Sequence, residues 1–197
     1  QTAPLNLPHT MKRRQLLCGL GISGLGLLAY PPRAFALGGV LPELDQPAPA
    51  FRLTGVKPAA GGGVVEAQLS LADFAGQWLV LYFYPRDLTP GCTLEARGFQ
   101  RDLACFRSAG AAVVGISADD AESHALFCGS ESLAFPLLSD PGGSVSRAYG
   151  SWIAPFSQRH TFLIDANGAL RARWTAVRPS GHSQEVLTEL QRLQVQA

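Results

Sequence analysis

The sequence has few cysteines, and their spacing excludes two common classes of small protein. Only four occur in 197 residues, which is too few for a disulfide-stapled mini-domain. No Cys-x-x-Cys pair and no Cys/His cluster has the spacing of zinc ligands. Isolated cysteines in a globular chain are typical of redox chemistry or of small buried packing residues. The four are Cys18, Cys92, Cys105 and Cys128.

Acidic residues are missing from the N-terminal segment. The first one is Glu43, whereas Lys12, Arg13, Arg14 and Arg33 all precede it. No block of basic residues occurs further along, so nothing in the composition calls for a nucleic-acid partner. With 47% hydrophobic and 16% charged residues, the chain has enough apolar material for one globular domain plus an appendage.

A long membrane-spanning run is also missing. The apolar run over residues 16–30 has about fifteen residues, fewer than the roughly 20 that a transmembrane helix needs. Arg13-Arg14 before it resembles a twin-arginine signal, and Ala34-x-Ala36 after it has the small-residue pattern of a signal peptidase site. The sequence therefore predicts a twin-arginine-like export signal within residues 1–36.

Export predicts a mature chain that starts at Leu37 and lies in the periplasm or the thylakoid lumen, without stable membrane insertion after processing. An uncleaved N-terminal anchor is the alternative. Cys18 lies at the start of the apolar run rather than after it, which argues against a lipoprotein. Residues 1–10 are either translated sequence before an internal start or an addition, and the sequence leaves both open.

The rest of the chain predicts an α/β fold. Residues 37–49 include a Pro-rich, extended stretch and predict a linker, so the folded domain is predicted over 50–197. The apolar run 78–84 is typical of a strand buried on both faces. Further strands are predicted at 51–53, 64–69, 112–117, 135–139, 160–164 and 170–174, with helices at 92–108, from Asp119 or Asp120 to 128, at 144–149 and at 184–193.

This order of elements predicts a thioredoxin-like sandwich, in which helices flank a central mixed β-sheet. The central strands are expected to be parallel and the last pair antiparallel, because a hairpin turn, Asp165-Ala-Asn-Gly168, joins that pair. The inner stripe of the first helix is expected to consist of Phe99, Leu103 and Phe106.

Cys92 lies where a buried strand has ended and a helix begins, after Thr89-Pro90-Gly91. The first turn of a helix presents unpaired backbone N–H groups and the positive end of the helix dipole, so a thiolate is favoured there. A thiolate that attacks oxygen, with nearby donors that stabilise the leaving oxygen, is what a peroxidase requires.

The residues around Cys92 resemble a known family. Pro85-x-x-x-Thr89-x-x-Cys92 matches the active-site motif of peroxiredoxins, and residues 83–93 resemble the peroxiredoxin Q group, also called bacterioferritin comigratory proteins. The resemblance spans about Leu44 to Leu193 and continues in three further blocks, at 110–117, 135–140 and 159–165.

The resemblance implies a role for each site residue. Cys92 would be the peroxidatic cysteine, the Thr89 hydroxyl would contact the peroxide, and Pro85 would shield the pocket. Arg159 would favour the thiolate and donate to the peroxide oxygens, and Glu95 would orient that arginine. The implied reaction reduces hydrogen peroxide or a small organic hydroperoxide, with a thioredoxin-like reductant, no metal or organic cofactor, and a monomeric enzyme.

The chain departs from the commonest peroxiredoxin Q pattern at Arg97, where many members carry a resolving cysteine. Cys128 lies 36 residues after Cys92 (128 − 92), on the next predicted helix, and resembles the resolving cysteine of another branch of the family. Cys105 would be about 20 Å from Cys92 along one helix, beyond disulfide reach, and is assigned to packing. If Cys128 is only a buried helix residue, the enzyme is a one-cysteine type.

Two rival functions remain open at this stage. A general thiol–disulfide oxidoreductase usually needs Cys-x-x-Cys, but Glu95 stands three residues after Cys92. A non-catalytic holdase could keep the same fold. Three of the four histidines lie in the predicted folded domain, have no metal-ligand spacing and are expected at the surface or at helix caps; they are His124, His160 and His182.

Overall fold

The apolar run of residues 78–84 forms an interior strand of the main sheet. The computed structural model describes residues 35–36 and 38–195. The strands are β1 (Phe35–Ala36), β2 (Gly39–Val40), β3 (Arg52–Pro58), β4 (Val64–Ser70), β5 (Trp78–Phe83), β6 (Ala111–Ser117), β7 (Leu137–Ser139), β8 (Trp152–Ile153), β9 (Phe156–Ser157), β10 (His160–Ile164) and β11 (Leu170–Trp174). The helices are α1 (Pro90–Ser108), α2 (Ala121–Glu131), α3 (Ser144–Ala148) and α4 (His182–Val195), with a short 3₁₀ helix at Leu71–Phe74.

Seven of these strands form one mixed sheet in the order β11-β10-β5-β6-β7-β3-β4. Strands β5, β6 and β7 are parallel, whereas β10 is antiparallel to both β5 and β11. The β3–β4 hairpin extends the other edge through an antiparallel pairing of β3 with β7. The predicted thioredoxin-like sandwich, with parallel central strands and an antiparallel last pair, is therefore confirmed.

Apolar side chains cover both faces of the sheet. Along β5, Val80 and Tyr82 point into one cluster, and Leu79 and Leu81 point into the other. This alternation explains why the run is apolar throughout, since a strand covered on both sides has no face for polar residues. The first cluster also contains the predicted inner stripe of α1, namely Phe99, Leu103 and Phe106, together with Val186 and Leu190 of α4.

Several element bounds differ from the sequence-based ones. Helix α1 begins at Pro90 rather than at Cys92, because proline is well suited to the first helical position. Strand β3 extends to Pro58, well past the predicted end at residue 53. The two-residue strands β1, β2, β8 and β9 were not predicted, since pairs this short carry no periodic signal.

The segment predicted as a linker is hydrogen-bonded to the domain over part of its length. The Asp45 amide donates to the Leu170 carbonyl at 2.7 Å, and the Ala48 amide donates to the Gly168 carbonyl at 2.9 Å. The side chains of Leu41 and Ala48 are buried in the second cluster. This stretch therefore contributes contacts to the hydrophobic core.

The predicted export signal lies outside the described residues, except for Phe35–Ala36, and so does the predicted mature start at Leu37. Within residues 35–36 and 38–195, no helix combines the length and apolar character that a membrane crossing requires.

Two expectations about individual side chains were wrong. Cys105 is not a packing residue, because it lies on the outer side of α1 and is exposed. The histidines at 124, 160 and 182 do not lie at the surface, because each is at most 1% exposed, although His182 does begin helix α4, in keeping with the helix-end alternative. They are buried because each ring has a partner inside the fold: Asp87 for His124, the Gly150 backbone for His160 and Thr161 for His182.

We expect His160 to make the stability of the fold depend on pH. Burial lowers the pKa of His160 to about 4, outweighing its hydrogen bond to the Gly150 backbone. The unfolded chain therefore binds more protons than the folded one between pH 6.5 and 4, so stability is full above this window and is lost as the pH falls through it. At pH 5 the loss from this residue should be about 2 kcal/mol relative to pH 7.5.

Urea unfolding at the two pH values measures this loss, with His160→Gln as the matched variant, because glutamine keeps a side-chain donor without a titratable ring. The wild type should lose about 2 kcal/mol more than the variant between pH 7.5 and 5. Equal losses in the two proteins would show that His160 does not couple folding to protonation.

Candidate active site

Cys92 is the third residue of α1, the helix that follows the carboxyl end of β5 after a short loop. Its side chain is 1% exposed and its thiol is free. The sulfur lies in the first helical turn, where the helix dipole and backbone N–H groups favour a negative charge. The loop that joins β5 to α1 thus delivers one buried sulfur to a position that suits a thiolate.

Arg159 reaches this sulfur from the other side of the loop. It immediately precedes β10, whose first residue, His160, pairs with Phe83 at the end of β5. The antiparallel pairing therefore brings the start of β10 to the edge from which α1 begins. Arg159 Nη2 lies 3.4 Å from Cys92 Sγ, and Nη1 donates to Glu95 Oε2 at 2.5 Å.

One guanidinium therefore links the sulfur to a buried carboxylate. Burial raises the pKa of Glu95 to about 7, although the adjacent Arg159 acts in the opposite direction. Burial lowers the pKa of Arg159, but the Glu95 carboxylate and the Cys92 sulfur raise it, and the net direction is upward. The arginine consequently stays positively charged beside the sulfur.

The chain comes close to the guanidinium at Gly91. A Cβ atom placed there would lie 3.1 Å from Arg159 Nη2, which is tighter than an ordinary contact. The absence of a side chain at this position leaves room for the guanidinium next to the first turn of α1. Glycine at position 91 therefore allows the guanidinium to approach the first turn of α1.

Thr89 and Pro85 lie on the loop that precedes the helix, and both are half-buried. The Thr89 hydroxyl donates to the Arg86 carbonyl at 3.0 Å and makes no capping bond to α1. Because its hydrogen is engaged there, the hydroxyl oxygen is left to accept a hydrogen bond from a bound molecule. The structure thus brings four residues to one end of the sheet with the sulfur: Pro85, Thr89, Glu95 and Arg159.

A buried polar network that the sequence did not predict anchors the same loop to α2. The Asp87 carboxylate accepts hydrogen bonds from Tyr84 Oη at 2.7 Å and Ser123 Oγ at 2.8 Å, and it lies 2.8 Å from His124 Nδ1. Asp87 and His124 are both buried. They are 37 positions apart, so no local pattern in the sequence indicates that they meet.

Cys128 lies on α2, the helix that follows β6, as predicted. Its thiol is free and 2% exposed. Burial, together with a smaller effect of the Asp87 carboxylate, raises the pKa of Cys128 to about 12. Cys92 and Cys128 belong to the same buried cluster, which also contains Tyr82. The folded protein therefore holds both cysteines in its buried interior, and burial disfavours the thiolate form of Cys128.

The fold and this arrangement define the class of protein: a thioredoxin-like domain with a buried cysteine at a helix start and an arginine at its sulfur. The AhpC/TSA family matches residues 44–173. Peroxiredoxin Bcp of Xanthomonas campestris is 38% identical over 156 residues, covering 75% of this chain and 93% of that protein. Chloroplastic peroxiredoxin Q of Suaeda salsa is 37% identical over 184 residues, covering 89% of this chain and 82% of that one.

A solved structure of Xanthomonas campestris peroxiredoxin Q superposes with a TM-score of 0.64 at 36% identity, covering 71% of this chain and 89% of that one. The chain belongs to the AhpC/TSA family and is a peroxiredoxin of the Q/Bcp group, and peroxiredoxins are thiol-dependent peroxidases. Membership in this family favours peroxidase activity over the two rivals that the sequence left open, a general disulfide oxidoreductase and a non-catalytic holdase.

Proposed function

We propose that this peroxiredoxin reduces hydrogen peroxide and small organic hydroperoxides at Cys92. The observation that carries the proposal is the guanidinium of Arg159 at 3.4 Å from a buried sulfur in the first turn of a helix. The Cys92 thiolate attacks one peroxide oxygen, the oxygen–oxygen bond breaks, and the second oxygen leaves as water or an alcohol after taking up a proton. Cys92 is left as a sulfenic acid.

Four neighbouring residues would bind the peroxide, stabilise charge and shield the pocket. Arg159 stabilises the thiolate and the negative charge that builds on the leaving oxygen. Thr89 accepts a hydrogen bond from the peroxide, and Pro85 shields the pocket from water. Glu95 fixes the guanidinium by accepting its Nη1–H, and it does so from inside the protein, where the carboxylate is 1% exposed.

We further propose that Cys128 condenses with the sulfenic acid and that a thioredoxin-like dithiol reduces the resulting disulfide. Both cysteines lie in one buried cluster, so condensation requires local rearrangement rather than movement of whole domains. Solved structures of Xanthomonas campestris peroxiredoxin Q include serine variants at two cysteines that have the same spacing as Cys92 and Cys128. The solved structure of the Xanthomonas campestris bacterioferritin comigratory protein is described in terms of its alkyl peroxide reduction activity, which supports organic hydroperoxides as substrates here.

Intact mass after one equivalent of peroxide tests the proposed sequence of steps. The wild type is expected to lose two hydrogens, because water leaves when the disulfide forms. Cys128→Ser is expected to gain one oxygen instead, because its sulfenic acid persists. A wild type that only gains oxygen, like the variant, would make this a one-cysteine enzyme that an external thiol reduces directly.

Turnover with a thioredoxin system tests the reductant. Peroxide-dependent oxidation of thioredoxin should proceed with the wild type and fall at least about tenfold with Cys128→Ser, because the variant offers no disulfide for the dithiol to reduce. Turnover that is undiminished in this variant would remove Cys128 from the cycle.

We also propose that the chain is exported, is processed before Leu37 and acts as a monomer in the periplasm or the thylakoid lumen. The basic start, the short apolar run and Ala34-x-Ala36 support export. The mass of the mature chain isolated from the producing cell tests processing, since cleavage elsewhere gives a different N-terminal residue. Sedimentation in the reduced and oxidised states tests the monomer.

A further inference from the structure

We propose that His124, positioned by Asp87, accepts the proton of the Cys128 thiol when that thiol attacks the oxidised Cys92. This inference rests on the proposed resolving role of Cys128. It starts from a chemical difficulty in that role, because a thiol is a nucleophile only as its thiolate. Cys128 is buried, lies within the influence of the Asp87 carboxylate and is protonated in the folded protein.

Two possible bases flank Cys128 on α2, but the carboxylate of Glu131, three positions after it, is held by Arg97, which leaves His124. It lies one turn before Cys128 on α2, at the i, i+4 spacing that puts two side chains on the same helix face. Its Nδ1 lies 2.8 Å from Asp87 Oδ2, so Nδ1 carries the hydrogen that this bond requires. The other ring nitrogen, Nε2, is buried and has no hydrogen-bond partner among residues 35–36 and 38–195. A lone pair at Nε2 is therefore available inside the protein.

The charges in this arrangement alternate once the proton has moved. Asp87 is negative, His124 becomes a positive imidazolium between two anions, and Cys128 becomes a thiolate. Proton transfer thus removes the unfavourable pairing of a carboxylate with a bare thiolate. The other polar groups that face the ring are the Tyr84 hydroxyl, 3.5 Å from Nδ1, and Ser123 and Asp119, which act through their hydrogen bonds to Asp87.

The step balances as follows. The Cys128 thiolate attacks the sulfur of the Cys92 sulfenic acid, a sulfur–sulfur bond forms, and the sulfur–oxygen bond breaks. The Cys128 sulfur is oxidised and the Cys92 sulfur is reduced. The hydroxyl leaves with the proton that His124 has taken up, so one water is released and His124 returns to its starting form.

Solvent is the competing proton acceptor, because Cys128 borders a cleft of about 430 Å³ between α2 and the β3–β4 turn. A purely structural role for the Asp87–His124 pair, as an anchor for the active-site loop, is the other competitor. His124→Asn separates the three roles, because the asparagine amide can keep the hydrogen bond to Asp87 while the base is removed.

Stopped-flow measurements after a peroxide pulse resolve the oxidation of Cys92 from disulfide formation, with intact mass identifying each product. In His124→Asn, disulfide formation is expected to slow by about 10- to 100-fold. Its rate should then rise about tenfold per pH unit, as expected for a thiol deprotonated by solvent, whereas the wild-type rate should depend less steeply on pH. A variant with the wild-type rate and pH dependence would overturn the proposal.

Asp87→Asn provides a second test should His124→Asn fail to fold. The substituted amide oxygen can still accept the Nδ1–H, but it lacks the charge that stabilises an imidazolium, so disulfide formation should slow while the loop stays anchored. Cys128→Ser, which cannot form the disulfide, serves as the reference that separates the resolving role of Cys128 from the proton-accepting role of His124. If the wild type forms no disulfide, the resolving role itself fails; if it forms one at a rate that neither variant changes, only the role of His124 fails.

Discussion

Cys92→Ser should lower peroxide reduction by at least about 10⁴-fold, the largest effect expected of any substitution in the chain. A serine hydroxyl remains protonated at neutral pH, and the oxygen that replaces sulfur is a much poorer nucleophile toward a peroxide. Oxygen is smaller than sulfur, but the two side chains have the same shape, so the fold should be retained. A coupled assay with a thioredoxin system and a direct measurement of peroxide consumption both report the loss.

Cys105→Ser is the matched control, because Cys105 lies on the same helix and is exposed. Substitution of an exposed residue away from the site should change the free energy of unfolding by no more than about 0.5 kcal/mol and leave turnover near the wild-type value. Residual turnover in Cys92→Ser that disappears only on adding Cys105→Ser would move the reactive sulfur to the outside of the helix.

Arg159→Met should lower kcat/KM for peroxide by about 10²- to 10³-fold. The substitution removes both the cation next to the sulfur and the donor 3.4 Å from it, while a methionine fills much of the space. The rate of Cys92 oxidation in single-turnover experiments measures this directly. Arg159→Lys is the conservative comparison, and it should recover only part of the rate because one ammonium cannot bridge Cys92 and Glu95 as the guanidinium does.

The same substitution should also change how stability depends on pH. Burial already raises the pKa of Glu95 to about 7, and removing its cation raises it further. A carboxyl whose pKa is raised on folding takes up protons in the folded state, so stability is full at low pH and is lost as the pH rises through the shifted pKa. Arg159→Met should therefore lose stability more steeply than the wild type between pH 6 and 8.

Adding Glu95→Gln to Arg159→Met separates structure from chemistry. The double variant lacks the Glu95 carboxyl, so the contribution of this group to the pH dependence of stability should disappear, whereas its peroxidase rate should remain low. A double variant that regains the wild-type rate would show that Arg159 acts only by pairing with Glu95.

The parts of this molecule that local patterns encode could be predicted. The apolar run of β5, the helix that follows Thr89-Pro90-Gly91 and the stripe of α1 all arise from residues close together in the chain, and their types follow from periodicity and caps. The parallel core of the sheet followed from the order of strands and helices. Cys92 could be singled out for the same reason, since its setting at a strand end and a helix start is local.

Contacts between distant residues could not be predicted in this way. Arg159 lies 67 positions from Cys92, and only a family resemblance indicated that the two meet. His124 was expected at the surface or at a helix cap because it has no metal-ligand spacing with the other histidines, yet it pairs with a carboxylate 37 positions away. Cys105 was assigned to packing because it is too far along the helix for a disulfide with Cys92, although it lies outside the stripe of Phe99, Leu103 and Phe106 and is exposed. Pairings of this kind depend on tertiary structure.

The dependence of the site on β10 has a consequence for a chain that is still being synthesised. Helix α1 can form soon after its residues leave the ribosome, but Arg159 and the strand that carries it are made much later. Until β10 docks along β5, the cysteine lacks its guanidinium neighbour. If Cys92 and Arg159 act as proposed, rapid reaction with peroxide is expected only of the finished sheet, and its onset would report the moment at which the last strands dock.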